Sequence, residues 1–416
     1  MVASSFQTFA RKALKKKLTK WAIDITLIPV AVPLLIVRYI FRIKFFRVHG
    51  SRFGHLAMHN EVFLRRQQLG LIKEKGIKYV GIAPTSVCNQ QLLDMFKRKL
   101  TIIQFPQPRF IRTITKIMAE KSILSKWDLF VVLPYDVGYF PRYNEAKPSI
   151  VFTDSEEKEG KELLKRMGII DNKWYICFHA RDSAYVGQLL KRGDARYTYR
   201  NSTIENFFSA ADYITKQGGY AVRMGARVGE KLPEWNNPKI IDYSSSYRTE
   251  LGDIYLPAKC KFLVGTGSGI ESIASIFNIP TIRTNAIPLS PLIPNFKLNH
   301  FPPGRNDLFI PKKIWSIEKK RFLTFKEEME FDLKKFSFEA QDYEKTGLVP
   351  MENTPEEILA VTMEMNQRLD GTWKITKEDE ELQHKFKTLF VHKGKPYEFS
   401  ARMGAQFLRE NKRLLE

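Results

Sequence analysis

The sequence predicts an α/β protein with parallel sheets, and three observations carry that prediction. Short apolar runs of strand length recur at 45–48, 78–84, 100–104, 129–133, 174–178, 220–225, 239–243, 262–264 and 281–282. Between most of them lie stretches with apolar residues at helical spacing, and that alternation marks βα units feeding a parallel sheet. Several runs end directly in glycine-rich or basic turns, at the carboxyl edge where open α/β sheets take ligands.

At 416 residues the chain has room for two domains and a substantial core. Charge is the outlier, with 67 Lys+Arg against 45 Asp+Glu and a formal net of +22. Such a surface seeks anions: nucleic acid, acidic lipid headgroups or phosphorylated substrates. No recognisable nucleic-acid module is present, so nucleic acid is not an expected partner. Cys88, Cys177 and Cys260 lie far apart, which fits reduced buried thiols rather than a disulfide framework. With no Asp-x-Asp pair at a strand end and no His/Cys cluster at metal spacing, neither metal nor cofactor is expected.

Taken in order, residues 1–44 read as a membrane-associating segment. Arg11, Lys12, Lys15, Lys16, Lys17 and Lys20 precede an apolar run at 21–37 that Asp24, Pro29 and Pro33 interrupt. Arg38, Arg42, Lys44 and Arg47 follow it. Seventeen residues is short for a span, and basic flanks on both sides place both ends in the cytoplasm. The expectation is a peripheral or monotopic anchor through 6–44 on the cytoplasmic face of the inner membrane. It would be held to anionic lipid as well.

Residues 45–150 read as a first domain. Its first strand ends in a loop from His49 to His55, followed by a helix over 56–68. His49, His55, His59 and Glu61 are the acid/base candidates there. His55 and Glu61 are preferred as general base, with Gly54 and Asn60 beside them as acceptor contacts. Residues 134–148 read as irregular connection.

Residues 151–300 read as a second domain. A strand at 174–178 delivers His179, Arg181, Asp182 and Tyr185. Arg181 offers a fork of donors to phosphate oxygens. Asp182 either pairs with it or stands as a third catalytic candidate. The loop at 191–201 carries Arg192, Arg196, Tyr197, Tyr199 and Arg200, and reads as a cover over a phosphorylated ligand. Arg223, Gly225 and Arg227 follow the next strand, and Asp253 starts a helical turn further on. The stretch at 261–288 organises the whole: strand, then Gly265, Thr266, Gly267, Ser268 and Gly269, then a helix containing Glu271. Free N–H groups at a helix start suit phosphate or carboxylate, although any tight βα turn looks similar. Arginines and helix starts, rather than metal, are expected to hold a diphosphate here.

Residues 301–416 read as a helical extension packing back on the core. Residues 288–313 look Pro-rich and irregular, and 325–336 look amphipathic. Thr354-Pro355-Glu356-Glu357 is a capping box with Pro at the first helical position. Charged scaffold helices fill 374–416.

FHARDSAY at 178–185, YRNSTIENFFSAADYI at 199–214, VRMG at 222–225 and IIDYSSSYRTELGDIYL at 240–256 carry a resemblance. So do KFLVGTGSGIESIASIFNIPTI at 261–282, MENTPEEILAVTMEMNQRL at 351–369 and FGHLAMHNEVFLR at 53–65. Together they resemble a family of bacterial surface-polysaccharide glycosyltransferases, and His179-x-Arg181 is also similar to fucosyltransferases with two Rossmann-like domains (GT-B type). The resemblance implies that Arg181 binds the donor diphosphate and that the Gly265–Gly269 turn flanks it. It implies transfer from a nucleotide sugar to a lipid-linked or surface-polysaccharide acceptor (lipopolysaccharide or capsule), across a cleft between the domains. Pyruvyl transfer, sugar-nucleotide epimerisation and a basic scaffold are the rival expectations.

Overall fold

Lys44 and Phe46 are buried in the first strand while their neighbours are half-exposed, and this strand is an interior strand of the first sheet. The protein is described here by a computed structural model covering residues 38–106, 142–170, 173–182, 195–225, 236–287, 307–330, 340–389 and 401–416, with a few positions between and before them. The chain divides into two units, Met1–Pro134 and Tyr135–Glu416.

In the first unit, β1 (Ile43–Arg47), α1 (Phe53–Gln68), β2 (Lys78–Pro84), α2 (Gln90–Lys97), β3 (Thr101–Phe105) and β4 (Phe130–Val131) follow in order. The sheet runs β3-β2-β1-β4, all parallel. Phe46 pairs with Gly81, where a Cβ would sit 2.7 Å from the Phe46 ring, so the glycine makes room for that ring. Leu56, Val62 and Phe63 of α1 are buried, with the Phe63 ring 5.8 Å from that of Phe46. Asn89 caps α2 by accepting the Leu92 N–H at 2.8 Å.

In the second unit, a Thr153–Glu156 capping box starts α3 (Asp154–Arg166). Then come β5 (Tyr175–Phe178), α4 (Phe208–Lys216), β6 (Tyr220–Arg223), β7 (Ile240–Asp242), α5 (Gly252–Lys259), β8 (Leu263–Gly265), α6 (Gly269–Ile276), β9 (Thr281–Ala286) and β10 (Leu308–Pro311). Farther on lie β11 (Lys313–Ser316), β12 (Arg321–Phe322), β13 (Leu348–Met351), α7 (Pro355–Leu369), α8 (Lys377–Thr388), β14 (Val391–His392), β15 (Lys395–Pro396) and β16 (Arg402–Met403). Seven parallel strands make the main sheet, in the order β16-β10-β9-β8-β5-β6-β7. β11, β12 and β13 form a small antiparallel sheet, and β14–β15 a hairpin. β5 and β6 are buried along their whole length, as parallel strands covered on both faces must be. Ile176, Phe178, Val264, Ile282 and Phe309 pack there with Ile214 of α4, Val361 and Met365 of α7 and Phe386 of α8.

Two expectations about the tail are corrected. The Pro-rich run to residue 313 contains β10, whose Leu308, Phe309 and Ile310 are all but fully buried. Pro311 falls at the register shift between Phe309 and Pro311, a bulge-like irregularity where a missing N–H is tolerated. Residues 301–416 are also not purely helical, because β10 and β16 are the last two strands at one end of the sheet. The capping box at α7 is as expected: Thr354 Oγ1 accepts the Glu357 N–H at 3.3 Å, and Glu357 returns to the Thr354 N–H at 3.1 Å. Cys88, Cys177 and Cys260 are reduced thiols, not disulfide partners, and burial pushes the Cys177 thiol well up. Among the described residues no helix is long and apolar enough to cross a membrane. Residues 6–28 of the expected anchor lie outside the described residues.

Candidate functional site

Strand order decides where each sheet offers a site. In the second unit the chain steps outward from β5 to β6 to β7, then returns to β8 on the other side of β5 and steps outward again. Connections on the two sides of β5 therefore leave in opposite directions, and a crevice opens at the carboxyl ends of β5 and β8. β5 ends in His179-Ala180-Arg181-Asp182, and β8 ends in the Gly265–Gly269 turn. The His179 N–H donates to the Val264 carbonyl at 2.9 Å, and the Arg181 N–H to Thr266 Oγ1 at 2.8 Å. Arg200 Nη2 donates to the Gly267 carbonyl at 2.7 Å, and Gly267 has a φ of +73°, which suits glycine. The Met224 N–H donates to the Phe178 carbonyl at 2.8 Å, which brings Met224 and Gly225 to the same edge. Thus the segments after β5, β6 and β8, with residues 195–200, meet as expected. Tyr185 and Arg227 lie outside the described residues.

Charges at this edge are heavily paired. Glu271, expected to contact the donor, is buried and turns back on its own turn. It accepts the N–H groups of Gly267 and, at 3.3 Å, Ser268, and it takes Nε of Arg283 at 2.8 Å. The turn expected to cradle a phosphate therefore already cradles a carboxylate. A Cβ on Gly265 would stand 2.8 Å from that carboxylate, so the glycine allows its approach. Arg223 is buried at the end of β6, with Nη1 3.4 Å from Asp242 Oδ2. Asp253 is not a free ligand either, since it accepts Tyr243 Oη at 3.0 Å and Arg248 Nη2 at 2.8 Å. Burial pushes its carboxyl up to about 6.

His179 donates from Nδ1 to the Met224 carbonyl at 2.9 Å, which assigns that nitrogen the proton because a carbonyl only accepts. Burial holds the imidazole below its ordinary pKa, against the opposing pull of that carbonyl, Glu271 and Asp182. Burial likewise pushes the Tyr199 phenol up to about 12, although Arg200 and Arg181 are near enough to favour its anion. The Arg181 backbone and the Arg200 guanidinium thus both reach the Thr266–Gly267 turn.

In the first unit the same topology places a switch point between β1 and β4. His49 follows β1, while His55 and His59 stand one helical turn apart on α1. His55 Nδ1 lies 3.3 Å from His59 Nε2, and the His49 ring stacks on His59 at 4.3 Å with 16° between planes. His59 Nδ1 donates to the carbonyl of Leu133, just beyond β4, at 2.8 Å. Burial pushes His59 down to about 4, and burial with the nearby Arg52 lowers His55. The expectation that no histidines cluster at metal spacing is therefore corrected. Glu61, expected as a base, has no solvent exposure and pairs with Arg65 Nε at 2.7 Å. Asn60, expected at an acceptor, is buried and donates from Nδ2 to the Leu56 carbonyl at 2.7 Å, and Gly54 is buried in the first turn of α1.

No family model and no curated protein matches the chain. Among solved structures it is similar to the ADP-heptose lipopolysaccharide heptosyltransferase II of E. coli, at 14% identity over 62% of this chain and 88% of that one, with a TM-score of 0.37. It is also similar to a family 9 glycosyl transferase of Veillonella parvula, at 11% identity over 64% of this chain and 85% of that one, with a TM-score of 0.38. Neither likeness bears on activity.

Proposed function

We propose that the chain is a glycosyltransferase whose second unit binds a nucleotide-sugar donor at the β5–β8 switch point. The acceptor is a lipid-linked or surface-polysaccharide glycan, and the first unit takes it. The observation that carries this reading is the tie between the two loops, Arg181 N–H to Thr266 Oγ1 at 2.8 Å. It fixes the His179-x-Arg181 segment against the glycine turn at the position where doubly wound sheets bind nucleotides. With Glu271 filling the helix start, the diphosphate is assigned to the Arg181 and Arg200 guanidiniums and to no metal. Those cations neutralise the leaving diphosphate as charge develops on it.

A thermal-shift screen of nucleoside diphosphates and nucleotide sugars, with and without magnesium, tests this. One nucleotide series should raise the melting temperature independently of magnesium. Arg181→Ala should weaken that binding about 10–100-fold, the loss of a charged hydrogen bond worth about 1.5–3 kcal/mol. Stabilisation by phosphoenolpyruvate, by duplex nucleic acid or by none of these ligands sinks the proposal.

We also propose that residues 6–44 hold the protein on the cytoplasmic face of the inner membrane. Support comes from Val32, Ile36, Tyr39, Ile40 and Phe41, which expose large apolar side chains beside Arg38 and Arg42. Such a segment partitions into the interface through apolar burial and attraction to anionic lipid. In flotation with vesicles of anionic phospholipid the protein should rise with the lipid. Ile36→Ser/Ile40→Ser/Phe41→Ser should leave it at the bottom, and equal flotation of both would remove this role.

A further inference from the structure

Three imidazoles meet at the β1–β4 switch point, and their ring nitrogens lie within 4.8 Å of one another. His59 is held from behind. The Leu133 carbonyl fixes the proton on Nδ1, so Nε2 presents a lone pair to the cluster. Metal-binding histidines are oriented in the same way, by a carbonyl that accepts the other ring N–H and sets tautomer and ring plane. His55 Nδ1 lies 3.3 Å from that lone pair. Two nitrogens on one tetrahedral ion, each bound at about 2.0–2.1 Å, stand about 3.3 Å apart. This pair already has the spacing of two ligands. The His49 ring, stacked on His59, supplies the third nitrogen by turning about its own side-chain bonds.

We propose that His49, His55 and His59 bind a divalent transition-metal ion of the zinc class, leaving a fourth position for water or a substrate oxygen. The ordinary alternative is an N–H···N hydrogen bond from His55 to His59 in a packed group of rings. Metal displaces that bond: neutral imidazoles are the ligand form, and His55 moves its proton from Nδ1 to Nε2. Such an all-nitrogen set favours zinc, cobalt or nickel over magnesium or calcium, which want oxygen. It brings no anionic ligand, so the ion keeps its full charge. That charge acidifies a bound water and draws an anionic oxygen, such as a phosphate, to the open position. The site does not depend on sugar transfer, and the donor contacts assigned to the second unit do not involve it.

The full chain, free of any histidine tag and stripped with chelator, is titrated with cobalt(II) and then zinc. About one equivalent of cobalt should bind with the visible absorption of a tetrahedral ion, and zinc should displace it. The variant His49→Ala/His55→Ala, which leaves the buried His59 in place, should lose both band and binding while keeping its circular dichroism. Mapping of diethyl pyrocarbonate modification on the unaltered chain covers the case in which that variant does not fold. Zinc should protect His49 and His55 from the reagent. No stoichiometric uptake, equal uptake by the variant, or protection only at other histidines overturns the proposal. Nucleotide-induced stabilisation measured on the same preparations separates failure here from failure of the donor site.

Discussion

Glu61→Leu is expected to destabilise the first unit by about 3–5 kcal/mol, the cost of breaking a buried ion pair from one side. The carboxylate and its Arg65 partner both have no solvent exposure, and Nε lies 2.7 Å from Oε1. Withdrawing the counter-charge leaves a guanidinium cation in a medium that solvates it poorly. The loss is a large share of the roughly 5–15 kcal/mol that holds a typical domain together. Urea unfolding followed by hydrogen exchange of the α1 amides measures it. The double replacement Glu61→Leu/Arg65→Met should recover most of the loss, because an apolar pair of similar volume replaces two desolvated charges. If the single change costs less than about 1 kcal/mol, near the centre of ordinary substitutions, the pair is not structural. Were Glu61 a base, the double variant would fold and still transfer no sugar.

Glu271→Ala is the second large effect. Glu271 accepts two N–H groups of its own turn and pairs with Arg283, whose Nη2 is 2.8 Å away. Its side chain is 3% exposed and that of Arg283 13%, so the buried-pair cost of about 3–5 kcal/mol applies. Losing a helix cap alone removes only about 0.5–2 kcal/mol. Arg283→Ala should cost a comparable amount. The double variant should cost less than the sum, with a coupling of about 0.5–3 kcal/mol. Additive losses in denaturant titrations of the two single variants and the double would mean that carboxylate and guanidinium act separately.

Much of the fold can be read from local pattern. β1, β2, β5, β6 and β8 are apolar runs closed by turn residues, and each lies within a residue or two of its expected place. β10 and β16 escape that reading because one is flanked by prolines and the other is two residues long. Their status as strands is conferred by pairing across the sheet. The switch points are likewise non-local, since only strand order reveals that β8 returns beside β5 and β4 beside β1. Two site residues could have been placed more sharply. His55 and His59 share a helix face at a spacing of four, whereas Glu61, two positions beyond His59, points away from it. Ser268-x-x-Glu271 carries the spacing of a capping box, which turns the glutamate inward.

β10 is sealed on one side by β9 and on the other by Arg402 and Met403 of β16. During synthesis, however, Leu308, Phe309 and Ile310 leave the ribosome long before their outer partner exists. At typical elongation rates of about 5–20 residues per second, the interval is roughly 5–20 s. For that time an apolar strand edge stands open to any other extended chain, and nascent copies on one polysome are the nearest candidates. Until residues 402–403 are made, that edge is a ready template for strand pairing with another chain.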